Sequence, residues 1–183
     1  MQKTTDLNSF SNPDFKTGAN VLVRALWYCC NVLFLNSFVH SYRLKVFLLR
    51  LFGAKVGKNV LIKPYVNIKY PWKLIIGDHV WIGESVWIDN LDVVTIGHHV
   101  CISQGALLLC GNHNYKSTSF DLKTSPITLE NGVWIGAKSI VGPGVVCHSH
   151  SVLSVMSFAN QNLEAYSIYK GNPAQFIKQR IIE

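Results

Sequence analysis

The stretch Ile76-Gly77-Asp78-His79-Val80-Trp81-Ile82-Gly83-Glu84-Ser85-Val86-Trp87-Ile88 decides the fold. Ile76, Ile82 and Ile88 fall six apart, Gly follows the first two, and Val80 and Val86 stand four positions after them. Neither the 3.6 period of a helix nor the 2.0 period of a strand yields a repeat of about six. The pattern extends in both directions. Upstream it reads Val56, Ile62, Ile68, Leu74; the phase then slips by two into the quoted stretch and on to Val94. A second slip of two starts Ile96, Ile102, Leu108. After a polar interruption it resumes as Leu129, Ile135, Val141, Cys147, Leu153. Small or β-branched residues keep the position four later, as at Val60, Val100, Ala106, Val133, Ser139 and Val145. Hexapeptide repeats of this kind build a parallel β-helix, in which each short strand feeds one inward aliphatic to a stacked core. The register weakens at Trp72, at Asp92 and beyond Leu153, which predicts imperfect coils there.

The chain has 183 residues, enough for one domain with a sizeable core. Hydrophobic residues make up 49% and charged residues 15%, an apolar balance that points to buried subunit contacts or a membrane-facing surface. A net charge of +7 favours anionic partners. No block of Lys and Arg marks a nucleic-acid arm, so nucleic acid is not expected as a partner. The five cysteines, Cys29, Cys30, Cys101, Cys110 and Cys147, have no metal-ligand spacing. Cys101 and Cys147 fall on coil positions and read as small core residues. A reduced, cytoplasmic setting is expected, with the inner face of the membrane as an alternative.

The organisation follows. Residues 1–18 read as a flexible arm. Residues 19–53 read as helical, with apolar stripes Val21, Leu22, Ala25, Leu26, Cys29 and Leu44, Phe47, Leu48, Leu51, closed by Gly53. These helices either cap the first coil or lay an amphipathic face on a membrane surface. The β-helix covers 54–170, with an excursion loop at 112–125 that gains a stacked coil nothing and is a candidate functional element. Residues 171–183 read as a short tail helix.

The repeats, the His113 loop, Val133-Trp134-Ile135-Gly136 and the tail Gly171-Asn172-Pro173-Ala174 together resemble the hexapeptide-repeat acyltransferases. Leu49-Arg50-Leu51-Phe52-Gly53-Ala54-Lys55 and Tyr70-Pro71-Trp72-Lys73-Leu74 further resemble the acetyltransferases assigned to colanic acid biosynthesis. The resemblance implies a left-handed β-helix, where general chirality rules favour a right-handed crossover. It also implies acetyl-CoA as donor, no metal, and a homotrimer with sites between subunits. By the same resemblance His113 is the general base and Trp134 holds the pantetheine arm. The Ala137 N–H faces the thioester oxygen, Val155 joins the cofactor contacts, and Lys178 and Arg180 meet the nucleotide's 3′-phosphate. Gln175 departs from the family, which often carries Arg there. Sugar acetyltransferases of the galactoside and maltose type hold the acceptor with an Asn about thirty residues before the base. Gly83 occupies that place, so Gly83, Ser85, Asp89, Asn90 and Asp92 are the acceptor candidates.

The chemistry is consistent with those roles. Acyl transfer to a hydroxyl needs a base near neutral pKa, donors for the oxyanion and a way to hold two substrates together. Histidine has the right unperturbed pKa, and His113 is the only His in the excursion. His79, His98, His99, His148 and His150 fall at outward turns and read as solvated coil residues. γ-Class carbonic anhydrases share the coil and bind zinc, but Thr118 stands where they place a second loop His. The expected function is O-acetylation of a sugar, free or lipid-linked, in surface-polysaccharide assembly. An amino acceptor, a serine-type acceptor or a non-catalytic or zinc-binding coil are the alternatives.

Overall fold

The computed structural model describes residues 3–183. Short strands stack into three parallel sheets that form the faces of a prism. The first has five strands, from Lys55–Val56 to Val146–Cys147. The second has seven, from Leu61–Ile62 to Ala174–Gln179, and the third five, from Asn67–Ile68 to Phe158–Ala159. In the early coils a residue pairs with the one twenty later, as in Lys55↔Ile75, Trp81↔Cys101 and Asn67↔Trp87. In the later coils the interval is eighteen, as in Thr128↔Val146 and Trp134↔Val152. The two phase slips in the sequence are therefore corners between the third and first faces that carry two extra residues. A 3₁₀ turn, Pro71–Lys73, fills one of them.

The repeat aliphatics stack down the interior. On the second face Ile62, Ile82, Ile102, Ile135 and Leu153 are all buried. Burial of each such side chain contributes about 1.5–3 kcal/mol of transfer free energy. The small residues four later fill the corners, and Val66, Val86, Ala106 and Ser139 are fully buried. Three residues after most aliphatics of the first and second faces the backbone turns left-handed, even where the residue is not Gly: Asn59, His79, Ser85, His99, Lys138 and His150 have φ of 55–60°. The glycines directly after the aliphatics serve a different need. A Cβ on Gly83 would lie 2.6 Å from the Gln104 nitrogen, and one on Gly136 2.6 Å from the Val155 nitrogen. Successive corners stack too closely for a side chain there.

Helix α1 (Val21–Cys30) starts at Asn20, whose side chain accepts from the Val23 N–H, and runs into a π-helical turn, Asn31–Leu35. Helix α2 (Tyr42–Leu51) starts at Ser41 in the same way. Both cap the first coil, one of the two roles expected of them. Trp27 Nε1 donates to the Ile68 carbonyl at 2.8 Å, and Leu35, Leu48 and Leu49 are buried. Lys45 is fully buried and donates to the Leu35 and Lys63 carbonyls at 3.3 and 2.7 Å. Burial without a counter-charge lowers its pKa to about 8.

Two expectations need correction. The tail is not a helix. The chain reverses at Gly171 (φ +106°), and Ala174–Gln179 forms an antiparallel strand on Ser167–Gly171. An open sheet edge outweighs the local helical pattern of Phe176, Ile177 and Lys178. From residue 3 on, the N-terminal arm is not loose either, residues 1 and 2 lying outside the described residues. Asp6 N–H donates to the Thr118 carbonyl at 2.7 Å, Leu122 N–H to Asn12 Oδ1 at 3.0 Å, and Trp72 Nε1–H to the Thr17 carbonyl at 2.7 Å. These long-range partners leave no local signal in the sequence.

Candidate active site

The polar interruption folds as an antiparallel hairpin, Gly111–His113 against Leu122–Thr124. It leaves the third face after Leu107–Leu109 and rejoins the first face at Ile127–Leu129, so it projects from the corner opposite the second face. His113 is half-buried on this hairpin. Its Nδ1 lies 2.8 Å from the Phe120 carbonyl. A carbonyl only accepts, so Nδ1 must carry the proton, and the Nε2 lone pair is left as the basic site. The ring stacks on Phe120 at 4.4 Å and 7° and meets Phe10 of the arm at 6.1 Å. The imidazole is thus fixed in tautomer and in plane by a residue seven positions away and by the arm. Neither partner is readable from the sequence.

A second set of residues gathers on the second face. A cleft of about 580 Å³ is lined by Trp134, Ala137, Val155 and Arg180, with Ser103 and Gln104 on its wall. Four of the five expected cofactor residues therefore meet in one place. Trp134 is half-exposed, and its Nε1–H donates to Ser103 Oγ at 2.9 Å, which ties the indole to the preceding coil. Ser103 was not among the expected site residues. The signal for it was its place after Ile102, where other coils carry Gly. Lys178 lies on the final strand, exposed and outside the lining of this cleft. Arg180 reaches the cleft with Nη1 donating to the Gly132 and His150 carbonyls at 3.0 and 3.1 Å. A second groove, lined by Lys63, Trp81, Gly83 and Cys101, shares Ser103 and Gln104 and prolongs the cleft along the same face.

The acceptor candidates are scattered. Gly83 lies on the second face, and Ser85 is an exposed left-handed corner. Asp89 is buried and ion-paired with Lys69 at 2.9 Å. Asn90 is fully buried and uses both ends of its amide on one backbone unit. Its Oδ1 accepts from the Tyr70 N–H at 2.9 Å, and its Nδ2 donates to the Tyr70 carbonyl at 2.6 Å. Fully buried and bonded at both ends of its amide, it is out of a ligand's reach and is a corner clamp. Asp92 lines a cleft of about 520 Å³ between the arm and the excursion hairpin, with Asn12, Asp14, Lys73 and Asp121. Arm residues were not among the candidates, because their approach to the hairpin is a tertiary event.

The coil cysteines carry no nucleophile. Burial raises the Cys101 thiol and pushes Cys110 up to about 11 and Cys147 to about 12, so none is a thiolate at neutral pH.

The fold and the paired clefts define a class. The chain superposes on a hexapeptide-repeat acetyltransferase of Vibrio cholerae O1 biovar eltor complexed with acetyl-CoA at a TM-score of 0.80, with 22% identity over 90% of this chain and 92% of that one. It superposes on a galactoside acetyltransferase in complex with coenzyme A at 0.77, with 23% identity over 86% of this chain and 80% of that one. The architecture is the left-handed parallel β-helix of such acetyltransferases, as the resemblance implied. In sequence, the chain is 40% identical over 177 residues, 96% of its length and 97% of the relative's, to WcaF of Escherichia coli (strain K12), whose name assigns it to colanic acid biosynthesis as an acetyltransferase. It is 28% identical over 129 residues, 69% of this chain and 64% of the relative, to the galactoside O-acetyltransferase of the same strain. No protein-family model matches the chain. The chain belongs to the WcaF family of hexapeptide-repeat acetyltransferases and is an acyltransferase.

Proposed function

We propose that this protein transfers an acetyl group from acetyl-CoA to a sugar hydroxyl in the assembly of a surface polysaccharide. The observation that carries the reading is the His113 tautomer, with Nδ1–H held by the Phe120 carbonyl and Nε2 left as the base. Nε2 takes the proton as the hydroxyl oxygen attacks the thioester carbon. The tetrahedral intermediate collapses, the C–S bond breaks, and the imidazolium returns its proton to the departing CoA sulfur. No acyl-enzyme is needed, in keeping with the neutral coil thiols. Trp134, Val155 and the Ala137 backbone hold the pantetheine arm and thioester, with Arg180 and Lys178 toward the nucleotide. The acceptor enters the cleft beside Asp92 and the arm.

The two half-sites also support a trimer. Within one chain the hairpin leaves the corner opposite the face that carries Trp134. A cyclic assembly of prisms sets one subunit's corner against the next subunit's face and completes a site at each junction. The test is CoA thiol release with a panel of free, nucleotide-linked and lipid-linked sugars, followed by the mass shift of the acceptor, with light scattering on the same sample. Acceptor-dependent CoA release and three times the chain mass are expected. A well-folded protein that releases CoA with no sugar, or that runs as a monomer, overturns the corresponding part.

A further inference from the structure

The helices that cap the first coil have two faces, and only the inner one is covered. On α1 and the π turn, Leu22, Leu26, Cys29 and Leu33 are spaced as one helical stripe and are all exposed. Leu22 is 75%, Leu26 61% and Leu33 61% accessible. Val21 and Tyr28 flank them at 68% and 69%. On α2, Phe47 and Leu51 are exposed in the same way at 59% and 65%, between Arg43 and Arg50. Scattered exposed apolar residues need no explanation, but a continuous stripe of this size marks a contact surface. No helix among the described residues is long and apolar enough to cross a membrane.

The charge of this part of the chain selects the partner. Ten of the 17 Lys and Arg fall between Asp14 and Asp78, and no Asp or Glu does. The remainder of the chain carries seven basic residues against ten acidic ones. The helices and the first coil beneath them are therefore strongly basic, and the rest of the chain is mildly acidic. Beside α2, Arg43, Arg50 and Lys58 border a cleft of about 460 Å³ with Tyr42 and Phe47. Arg50 is anchored there by donating to the Val56 and Gly57 carbonyls at 2.8 and 2.7 Å through Nη2. An apolar stripe with cations at its margin is the arrangement by which an interfacial helix binds acyl chains and anionic headgroups together.

We propose that α1, the π turn and α2 form a docking surface for an anionic lipid bilayer, with the leucine stripe in the acyl boundary and Arg43, Arg50 and Lys58 among the headgroup phosphates. This surface lies apart from His113 and Trp134 and does not depend on the reaction assigned above.

The experiment is sedimentation of the full chain with vesicles of phosphatidylglycerol and phosphatidylcholine in about equal parts, against vesicles of phosphatidylcholine alone. Binding to the anionic vesicles at low salt is expected. It should weaken sharply at about 1 M salt, where the Debye length falls to about 3 Å. Leu22→Gln/Leu26→Gln should lower the partition about 100-fold, and Arg43→Ser about fivefold. Both variants change exposed residues, so circular dichroism and CoA release with a soluble acceptor should match the parent. The proposal fails if the parent does not bind at low salt, or if it binds and the double variant binds equally well. It also fails if the double variant changes the oligomeric mass and the parent ignores vesicles, since the stripe is then a contact between copies of this chain.

Discussion

The coil and the excursion hairpin treat their polar side chains in opposite ways. In the coil, Asn90 gives both ends of its amide to Tyr70, and Glu130 receives the Ser149 N–H, the Ser149 hydroxyl and His148. Those bonds lower the Glu130 carboxyl below its ordinary range, the Ser149 hydroxyl contributing most. On the hairpin, His113 gives one nitrogen to the Phe120 carbonyl and keeps the other. A side chain engaged through both of its polar ends holds the fold, and one oriented through a single nitrogen is still free to react at the other. The difference teaches where to look for chemistry in a repeat protein: at the residue that is half engaged.

The sharpest way to break the comparison is at the free valence. His113→Ala should lower kcat by roughly 10²–10⁴-fold and leave acetyl-CoA affinity nearly unchanged. Steady-state kinetics with binding by calorimetry check this, and near-parental turnover would remove His113 from the mechanism. Asn90→Leu is the counterpart in the coil. It strands the Tyr70 N–H and carbonyl at a buried corner and should cost about 3 kcal/mol of stability in denaturant melts. Per folded molecule, kcat should be little changed. A large loss of kcat with intact stability would return Asn90 to the acceptor site.

Trp134→Ala tests the second face. On the proposed role of Trp134 as support for the pantetheine arm, its loss should raise the acetyl-CoA Kd roughly tenfold, with kcat affected less. Co-expression of His113→Ala with Trp134→Ala chains sharpens this further. At acetyl-CoA well below the Kd of the Trp134→Ala chain, mixed assemblies should regain part of the activity, because in the proposed trimer some junctions pair two intact half-sites. Absence of any recovery in confirmed mixed assemblies would argue for sites within single chains.

The last test concerns Lys45 under the cap. Folding lowers its pKa from 10.5 to about 8. Between those values the unfolded chain holds a proton that the folded chain lacks, so raising the pH through this window favours the folded state. The contribution should be up to about 3 kcal/mol. It should appear as an upward component of stability between about pH 8 and 10.5 that is missing in Lys45→Met.

Much of the coil was legible because its rule is local. One aliphatic every six residues, with a small residue four later, marked side chains that are nearly all buried. Even the phase slips corresponded to real corners. What was not legible depends on partners far along the chain. Gly171-Asn172-Pro173-Ala174 announced a turn, but the strand after it exists only because the Ser167–Gly171 edge is there to receive it. His113 could be singled out by its loop, while its orientation by Phe120 and Phe10 could not. Arg180 was expected to face a phosphate, and its position is set by two backbone carbonyls that no spacing encodes.

The reversed last strand has a consequence for how these molecules can grow. A stack of parallel coils is open at both ends, and each end is a template on which another copy could continue the stack into a filament. Here one end is covered by the helical cap. The other carries a strand that runs the wrong way for a further coil and shifts register between Ile168 and Tyr169. Growth of the stack along its axis is disfavoured on that face, whereas the trimer proposed above joins sides and closes into a ring of fixed number.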